Sequence, residues 1–298
     1  MKRIMGAGVL GLFLSTAVLP VAAQQDSGTL EKIKSSGEIV LGYRETAVPF
    51  SFLDSQHQPA GFALDLCMEI VDQIKGKLGM QDLKIEYQPV TASNRIPLLG
   101  NGSIDLECGS TTNTAERRKV VDFLFTTYVT GTKVIARVDS GFKSLEDMKG
   151  KKIAVTIGTN NIKAVQRTSN DDKLNFELVY GKDHAENFLL LKNGRVDGFS
   201  TDDILLSSLR AESGDPDAYA FVGSFLSTEP YAIMIRKSDP EFKQFADQVL
   251  TDTFKSGKFS EIYDKWFTRP IPPNNVNLNV PMSDELRELM KNPNDIGA

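Results

Sequence analysis

Three arginines stand where the chain passes between regular elements, and their surroundings define the chemistry on offer. Arg44 follows the apolar run Ile39–Tyr43 and precedes Val48-Pro49-Phe50. Arg95 opens the short helical pattern Asn94-Arg95-Ile96-Pro97-Leu98-Leu99, and Arg117 lies one residue beyond Asn113-x-x-Glu116, a spacing resembling a capping box. The hydroxyls of Ser110 and Thr112 precede Arg117 closely. Guanidinium groups hold carboxylates through paired, planar, charge-assisted hydrogen bonds. Unpaired helix-start amides after Thr112 would add further donors. A second donor-rich edge is Thr156-Ile157-Gly158-Thr159, which ends a strand pattern just before a helical one, and Asp202 or Asp203 is the natural partner for an ammonium group. This inventory suits a small zwitterion carrying an additional carboxylate.

Other chemistries find little support. The sequence contains no G-x-S-x-G, H-E-x-x-H, G-x-x-x-x-G-K or G-x-G-x-x-G pattern. His184 is a single imidazole beside Asp183, with no nucleophile at a recognisable spacing, so no catalytic residue is assigned. Two Cys and two His provide no set with structural-zinc spacing, and neither a metal nor a cofactor is expected. A formal charge of −5 lacks the basic footprint of a nucleic-acid binder.

Positioning these groups requires α/β architecture. Strand patterns run at Glu38–Tyr43, Leu83–Val90, Ile104–Cys108, Thr132–Val138, Lys152–Ile157, Phe176–Tyr180, Val196–Ser200 and Tyr231–Arg236. Helical patterns alternate with them near Leu64–Leu78, Arg95–Leu99, Thr114–Val121, Ile162–Arg167, His184–Lys192 and Glu241–Ser256. The last is the best defined: Asp239 caps it, Pro240 occupies its first turn, and Phe242, Phe245, Ala246, Val249 and Leu250 make an apolar stripe. Such alternation predicts largely parallel sheets covered by helices. Leu99-Gly100-Asn101-Gly102-Ser103-Ile104-Asp105-Leu106 is also echoed by Leu191-Lys192-Asn193-Gly194-Arg195-Val196-Asp197-Gly198, each reading as a helix end, a glycine stop and a strand. Two related lobes with polar groups at the carboxyl ends of their strands would make a cleft where open α/β sheets bind ligands.

At the N-terminus, Lys2 and Arg3, the apolar run Gly6–Val18 and Val21-Ala22-Ala23 form a secretory signal over residues 1–23, with cleavage expected before Gln24. Export makes the two cysteines worth weighing. Cys67 shares a helical apolar face with Ile70, Val71, Ile74 and Leu78, and Cys108 shares a strand face with Ile104 and Leu106. Two buried free thiols are the expectation, and a disulfide stays open in an oxidising compartment.

Several long segments carry a resemblance. Tyr43-Arg44-Glu45-x-x-Val48-Pro49-Phe50-Ser51, Asn94-Arg95-Ile96-Pro97-Leu98-Leu99-x-Asn101-Gly102, Glu107-Cys108-Gly109-Ser110-Thr111-Thr112-Asn113-x-x-Glu116-Arg117, Lys182-Asp183-His184 and Lys265-Trp266-Phe267-x-x-Pro270-Ile271-Pro272-Pro273 resemble the periplasmic glutamate/aspartate-binding proteins of ATP-driven amino-acid importers. These are polar amino-acid solute-binding proteins. The resemblance implies a two-lobed periplasmic-binding-protein fold of type II, with lobe one over 24–128 and 230–298, lobe two over 129–229, and a two-strand hinge. It implies a periplasmic, monomeric protein that binds L-glutamate or L-aspartate and docks on inner-membrane permease subunits. Arg117 and Thr112 with the Ser110 region would hold the α-carboxylate and part of the ammonium, and Asp202 the ammonium from the other lobe. Arg44 and Arg95 with His184 would hold the side-chain carboxylate, while Thr156 and Thr159 donate from the second lobe. Ala92 stands where that family carries serine, with Ser93 adjacent. The alternatives are a binder of another polar ligand such as glutamine, or a dehydratase-like enzyme on the same scaffold.

Overall fold

The computed structural model describes residues 28–298, so the expected export signal and cleavage site lie outside the described residues. Its apolar runs become two five-stranded sheets. In chain order the strands are β1 (Glu38–Tyr43), β2 (Lys84–Pro89), β3 (Leu106–Glu107), β4 (Val121–Phe123), β5 (Tyr128–Arg137), β6 (Lys152–Thr156), β7 (Glu177–Gly181), β8 (Gly198–Asp202), β9 (Tyr219–Tyr231) and β10 (Met234–Arg236). The first sheet has the order β2-β1-β3-β10-β4 and the second β7-β6-β8-β5-β9. The helices are α1 (Thr29–Ser36), α2 (Phe62–Leu78), α3 (Arg95–Gly100), α4 (Asn161–Asp171), α5 (His184–Lys192), α6 (Asp203–Ala211), α7 (Pro240–Lys255), α8 (Lys258–Phe267) and α9 (Asp284–Lys291).

The two sheets are built alike. β1 runs parallel to both β2 and β3, and β6 runs parallel to both β7 and β8. The sequence echo falls at equivalent places in them, α3 leading to β3 and α5 to β8. Asp105 donates its amide to Val40 O at 2.8 Å and accepts the Val40 amide on its carboxylate at 3.0 Å. Asp197 does the same with Lys152, at 2.8 and 2.9 Å. Both aspartates therefore pin their strand to the start of its parallel neighbour.

Burial follows this plan. Against the first sheet α2, α7 and α8 bring Phe62, Ile70, Phe242, Leu250, Phe259 and Phe267, all at most 1% exposed, into one core. Each such side chain contributes roughly 1.5–3 kcal/mol over an exposed one. The second sheet carries apolar clusters around Val165 of α4 and around Phe188 of α5 with Leu206 of α6. In α7 Asp239 accepts the Phe242 amide at 3.2 Å and also the Thr29 amide at 2.6 Å, so one carboxylate serves the starts of two helices.

Among the described residues the chain passes between the sheets only at Leu124–Thr127 and Ala232–Ile233. The flanking strands β5 and β9 pair antiparallel from Tyr128↔Tyr231 to Arg137↔Tyr219, with a register shift between Val222 and Ser227.

Several expectations change here. Cys67 of α2 and Cys108, just beyond β3, form a disulfide with Cα atoms 6.3 Å apart, so the two expected free thiols are a pair. The helix expected over Thr114–Val121 is a turn followed by a single 3₁₀ turn, Arg117–Lys119, because Val121 is claimed by β4 beside β10. The strand pattern at Tyr231–Arg236 divides into the end of β9 and the whole of β10. β9 itself, α1, α6, α8 and α9 have no counterpart among the sequence-read elements.

Candidate ligand-binding site

The carboxyl ends of β1 and β3 and the loop after β3 face those of β6 and β8 across a small cavity. Arg44, Arg95, Ser110, Thr112, Arg117, Thr159, His184 and Asp202 line it, together with Asn160, Asn161 and Leu205. Eight of the nine residues singled out in the sequence thus meet in one place. Thr156 is the ninth, and it stands behind His184 with its Oγ1 2.9 Å from Nδ1.

Each cation is held by its own element. Arg44 leaves the end of β1 with its amide donating to Ser51 Oγ at 2.8 Å. Arg95, at the start of α3, donates to Thr111 Oγ1 and lies 3.7 Å from Glu107. Both side chains are 2% exposed. Arg117 donates to Thr112 O at 2.8 Å and across the cleft to Gly158 O at 3.3 Å. Burial, then the neighbouring Arg95 charge, lowers both Arg44 and Arg117 to about 10, so these two guanidiniums stay cationic at neutral pH. Confining like charges in a desolvated space makes an anionic occupant favourable.

His184 begins α5 and is 1% exposed. Burial, with Arg44 and Arg95 adding to it, holds its pKa well below the ordinary histidine value, which keeps the ring neutral. Thr156 Oγ1 accepts from Asn187 Nδ2 at 2.8 Å, leaving its own proton for His184 Nδ1. The ring proton is thereby assigned to Nε2, a buried atom with no partner among the described residues. Ser110 Oγ is likewise buried and unpartnered. Two free hydrogen-bonding groups therefore accompany the guanidiniums.

The acidic side is equally built. Asp202 ends β8 and accepts from Asn161 Nδ2 at 2.7 Å and from the Tyr231 hydroxyl. Burial and the nearby Glu229 carboxylate push it up to about 7, against the pull of those two hydrogen bonds. Asn161 also donates to Thr132 at 2.7 Å, and Asn160 donates to both oxygens of Glu229 at 3.1 Å. The pair Asn160-Asn161 at the start of α4 was missed in the sequence, although asparagines directly after the Thr156–Thr159 edge were the available signal. Glu229 had no local signal, because its part of β9 was not recognised, and Tyr231 was read only as the start of a strand pattern.

Two further expectations are revised. The amides after Thr112 are not a free helix start: Asn113 N–H donates to Pro230 O at 2.8 Å, Ala115 N–H to Ala298 O at 3.2 Å, and Arg117 N–H to Thr114 Oγ1 at 3.2 Å. Nor does Ser93 stand in for the serine absent at Ala92, since its exposed hydroxyl is 3.0 Å from Thr91 Oγ1 and Ala92 is buried.

The sheets meet closely around the cavity. A Cβ on Gly158, whose φ is +83°, would fall 2.6 Å from the Ser93 backbone, so that contact requires glycine. Lys163 pairs with Glu116 across the same seam. Among the described residues no helix is long and apolar enough to cross a membrane, and no cluster of potential metal ligands occurs.

Comparison with known proteins agrees with this architecture. The family described as bacterial extracellular solute-binding proteins, family 3, matches residues 39–269. The L-glutamate/L-aspartate-binding protein of Pseudomonas aeruginosa is 41% identical over 292 residues, covering 96% of this chain and 97% of its own. A glutamate/aspartate import solute-binding protein of Escherichia coli K12 is 40% identical over 289 residues, covering 96% of each chain. Among solved structures, a mutant of ArgBP from T. maritima superposes with a TM-score of 0.71 at 30% identity, covering 80% of this chain and 98% of that one.

Proposed function

The chain belongs to the bacterial extracellular solute-binding proteins, family 3, and on that premise we propose that it captures L-glutamate or L-aspartate for an ATP-driven importer. The observation that carries this reading is the convergence of Arg44, Arg95, Arg117, neutral His184 and Asp202 on one cavity. Arg117 and Thr112, with unpartnered Ser110, form the α-carboxylate site, and Asp202 takes the ammonium. Arg44, Arg95 and His184 Nε2 take the side-chain carboxylate, with Thr159 donating from the second sheet and Thr156 orienting the imidazole. The lobes are residues 24–128 with 230–298, and 129–229. They close about the β5–β9 ribbon, because only a closed cleft lets one ligand share charges from both sheets, and ligand therefore favours the closed population. The closed monomer, exported to the periplasm, delivers unchanged ligand to a membrane permease.

Titration calorimetry of ligand-stripped mature protein with L-glutamate, L-aspartate and L-glutamine tests this. One-to-one binding of the acidic pair with glutamine far weaker is expected; comparable binding of glutamine would refute the side-chain site, and recovery of chemically altered ligand would refute a transport role. Arg95→Ala is expected to weaken glutamate about a hundredfold while changing glutamine less than about tenfold. Equal loss of both ligands would contradict the division of labour.

A pH dependence follows from Asp202. Unliganded, it holds a proton below about 7, whereas an ammonium partner stabilises the carboxylate and lowers its pKa. Affinity is therefore expected to fall as pH drops below about 7, by up to about tenfold per unit. Calorimetry in buffers of different ionisation enthalpy should record proton release on binding at pH 6 and almost none at pH 8.

A further inference from the structure

Glu107 has no role in that reading, yet it is a fully buried acid among the site's cations. It ends β3 between Gly42 of β1 and Met234 of β10, and its side chain is 0% exposed. Its Oε2 accepts from Thr111 Oγ1 at 2.6 Å, and Thr111 Oγ1 also receives the Arg95 guanidinium. Its Oε1 lies 3.7 Å from Arg95 and has no hydrogen-bond partner, and Arg95 Nε is also unpartnered. Arg44 closes the same space: a Cβ on Gly109 would fall 2.4 Å from Glu107 Oε1 and 3.0 Å from Arg44 Cγ. A purely structural ion pair would dock the carboxylate on the guanidinium fork through both oxygens. Here a threonine hydroxyl stands between them, and the arginine keeps donors for something else.

We propose that Glu107 is a specificity-determining residue that leaves the Arg44–Arg95 pocket one net positive charge, matched to an end group with a single negative charge. The inference rests on the assignment of that pocket to the ligand's side chain. His184 adds no charge, and Asp183, the other acid near Arg44, is partly exposed to screening solvent. A buried carboxylate close to the site opposes a second negative charge on the ligand far more strongly than a solvated one would.

O-phospho-L-serine is the probe, because its phosphate gains a second negative charge with a pKa near about 6. In wild-type protein, its affinity relative to L-glutamate is expected to fall about tenfold between pH 5 and pH 7.5. Glu107→Gln keeps the shape and the Thr111 hydrogen bond while removing the charge. It is expected to raise the phosphoserine-to-glutamate ratio at pH 7.5 at least about tenfold and to abolish its decline with pH. Taking ratios cancels the Asp202 dependence, which both ligands share through their ammonium groups. A Glu107→Gln protein that discriminates as wild type does overturns the proposal. So does a wild-type ratio that is flat with pH, a result independent of whether the variant folds. Wild-type protein that fails to bind L-glutamate would instead remove the underlying functional reading.

Discussion

Replacing Arg117 by alanine is expected to reduce the affinity for every amino-acid ligand by between about a hundredfold and a few thousandfold, as measured by calorimetry with glutamate, aspartate and glutamine. In the proposed site Arg117 meets the α-carboxylate, which all these ligands share. Leaving one buried charge without its partner costs about 3–5 kcal/mol, and each 1.4 kcal/mol is tenfold in Kd. The free protein should not suffer equally. Arg117 is itself disfavoured by burial and by Arg95, so its removal relieves repulsion in the empty cleft. The unliganded melting temperature should therefore hold or rise while the ligand-induced increase disappears. A variant that glutamate, at one fixed concentration, raises in melting temperature as much as wild type would place the α-carboxylate elsewhere.

The second large effect concerns stability. The disulfide closes a loop of 41 residues between α2 and the end of β3. Constraining a loop of that size in the unfolded chain contributes about 4 kcal/mol in the chain-entropy treatment. The double variant Cys67→Ala/Cys108→Ala should lose about that much in urea unfolding, with its midpoint lowered and its slope steeper, because the unfolded chain is less compact without the cross-link. Neither sulfur lines the cavity, so glutamate affinity should change less than about threefold. A change in affinity as large as the Arg117→Ala effect would mean that the disulfide positions the Ser110–Arg117 loop as well as stabilising it.

What the sequence disclosed of the site, and what it withheld, divides along physical lines. Arg44, Arg95 and Arg117 were visible because each is a long cation beside an apolar pattern, at a boundary where local periodicity changes. Asp202 was visible only as one of two adjacent acids that could meet an ammonium group, and His184 acquired its role only through resemblance, since an isolated histidine carries no local signature. Glu107 was passed over within a strand pattern, and Asn161 reaches partners 29 and 41 residues away. Such roles depend on how separate elements pack, which no window along the chain contains. β9 escaped for a related reason: it includes exposed Phe225 and the polar run Ser227-Thr228-Glu229, and its buried positions do not alternate. Similarly, the apolar faces around Cys67 and Cys108 were legible, but not that α2 would bring the two sulfurs together. By contrast, the repeated helix-end, glycine and strand unit was readable because both copies perform the same backbone task through Asp105 and Asp197.

The strand order of the first sheet also dictates a timetable. β10 lies between β3 and β4, and it is made only after the whole second sheet. As a chain emerges from its N-terminus, β4 must wait more than a hundred residues for its only sheet neighbour. The second sheet is one continuous stretch and can be completed first. The portion that waits is the one already closed on itself by Cys67 and Cys108, whose bond needs nothing made after residue 108. In a chain delivered progressively into an oxidising space, that early cross-link would hold the unfinished half together until β10 arrives.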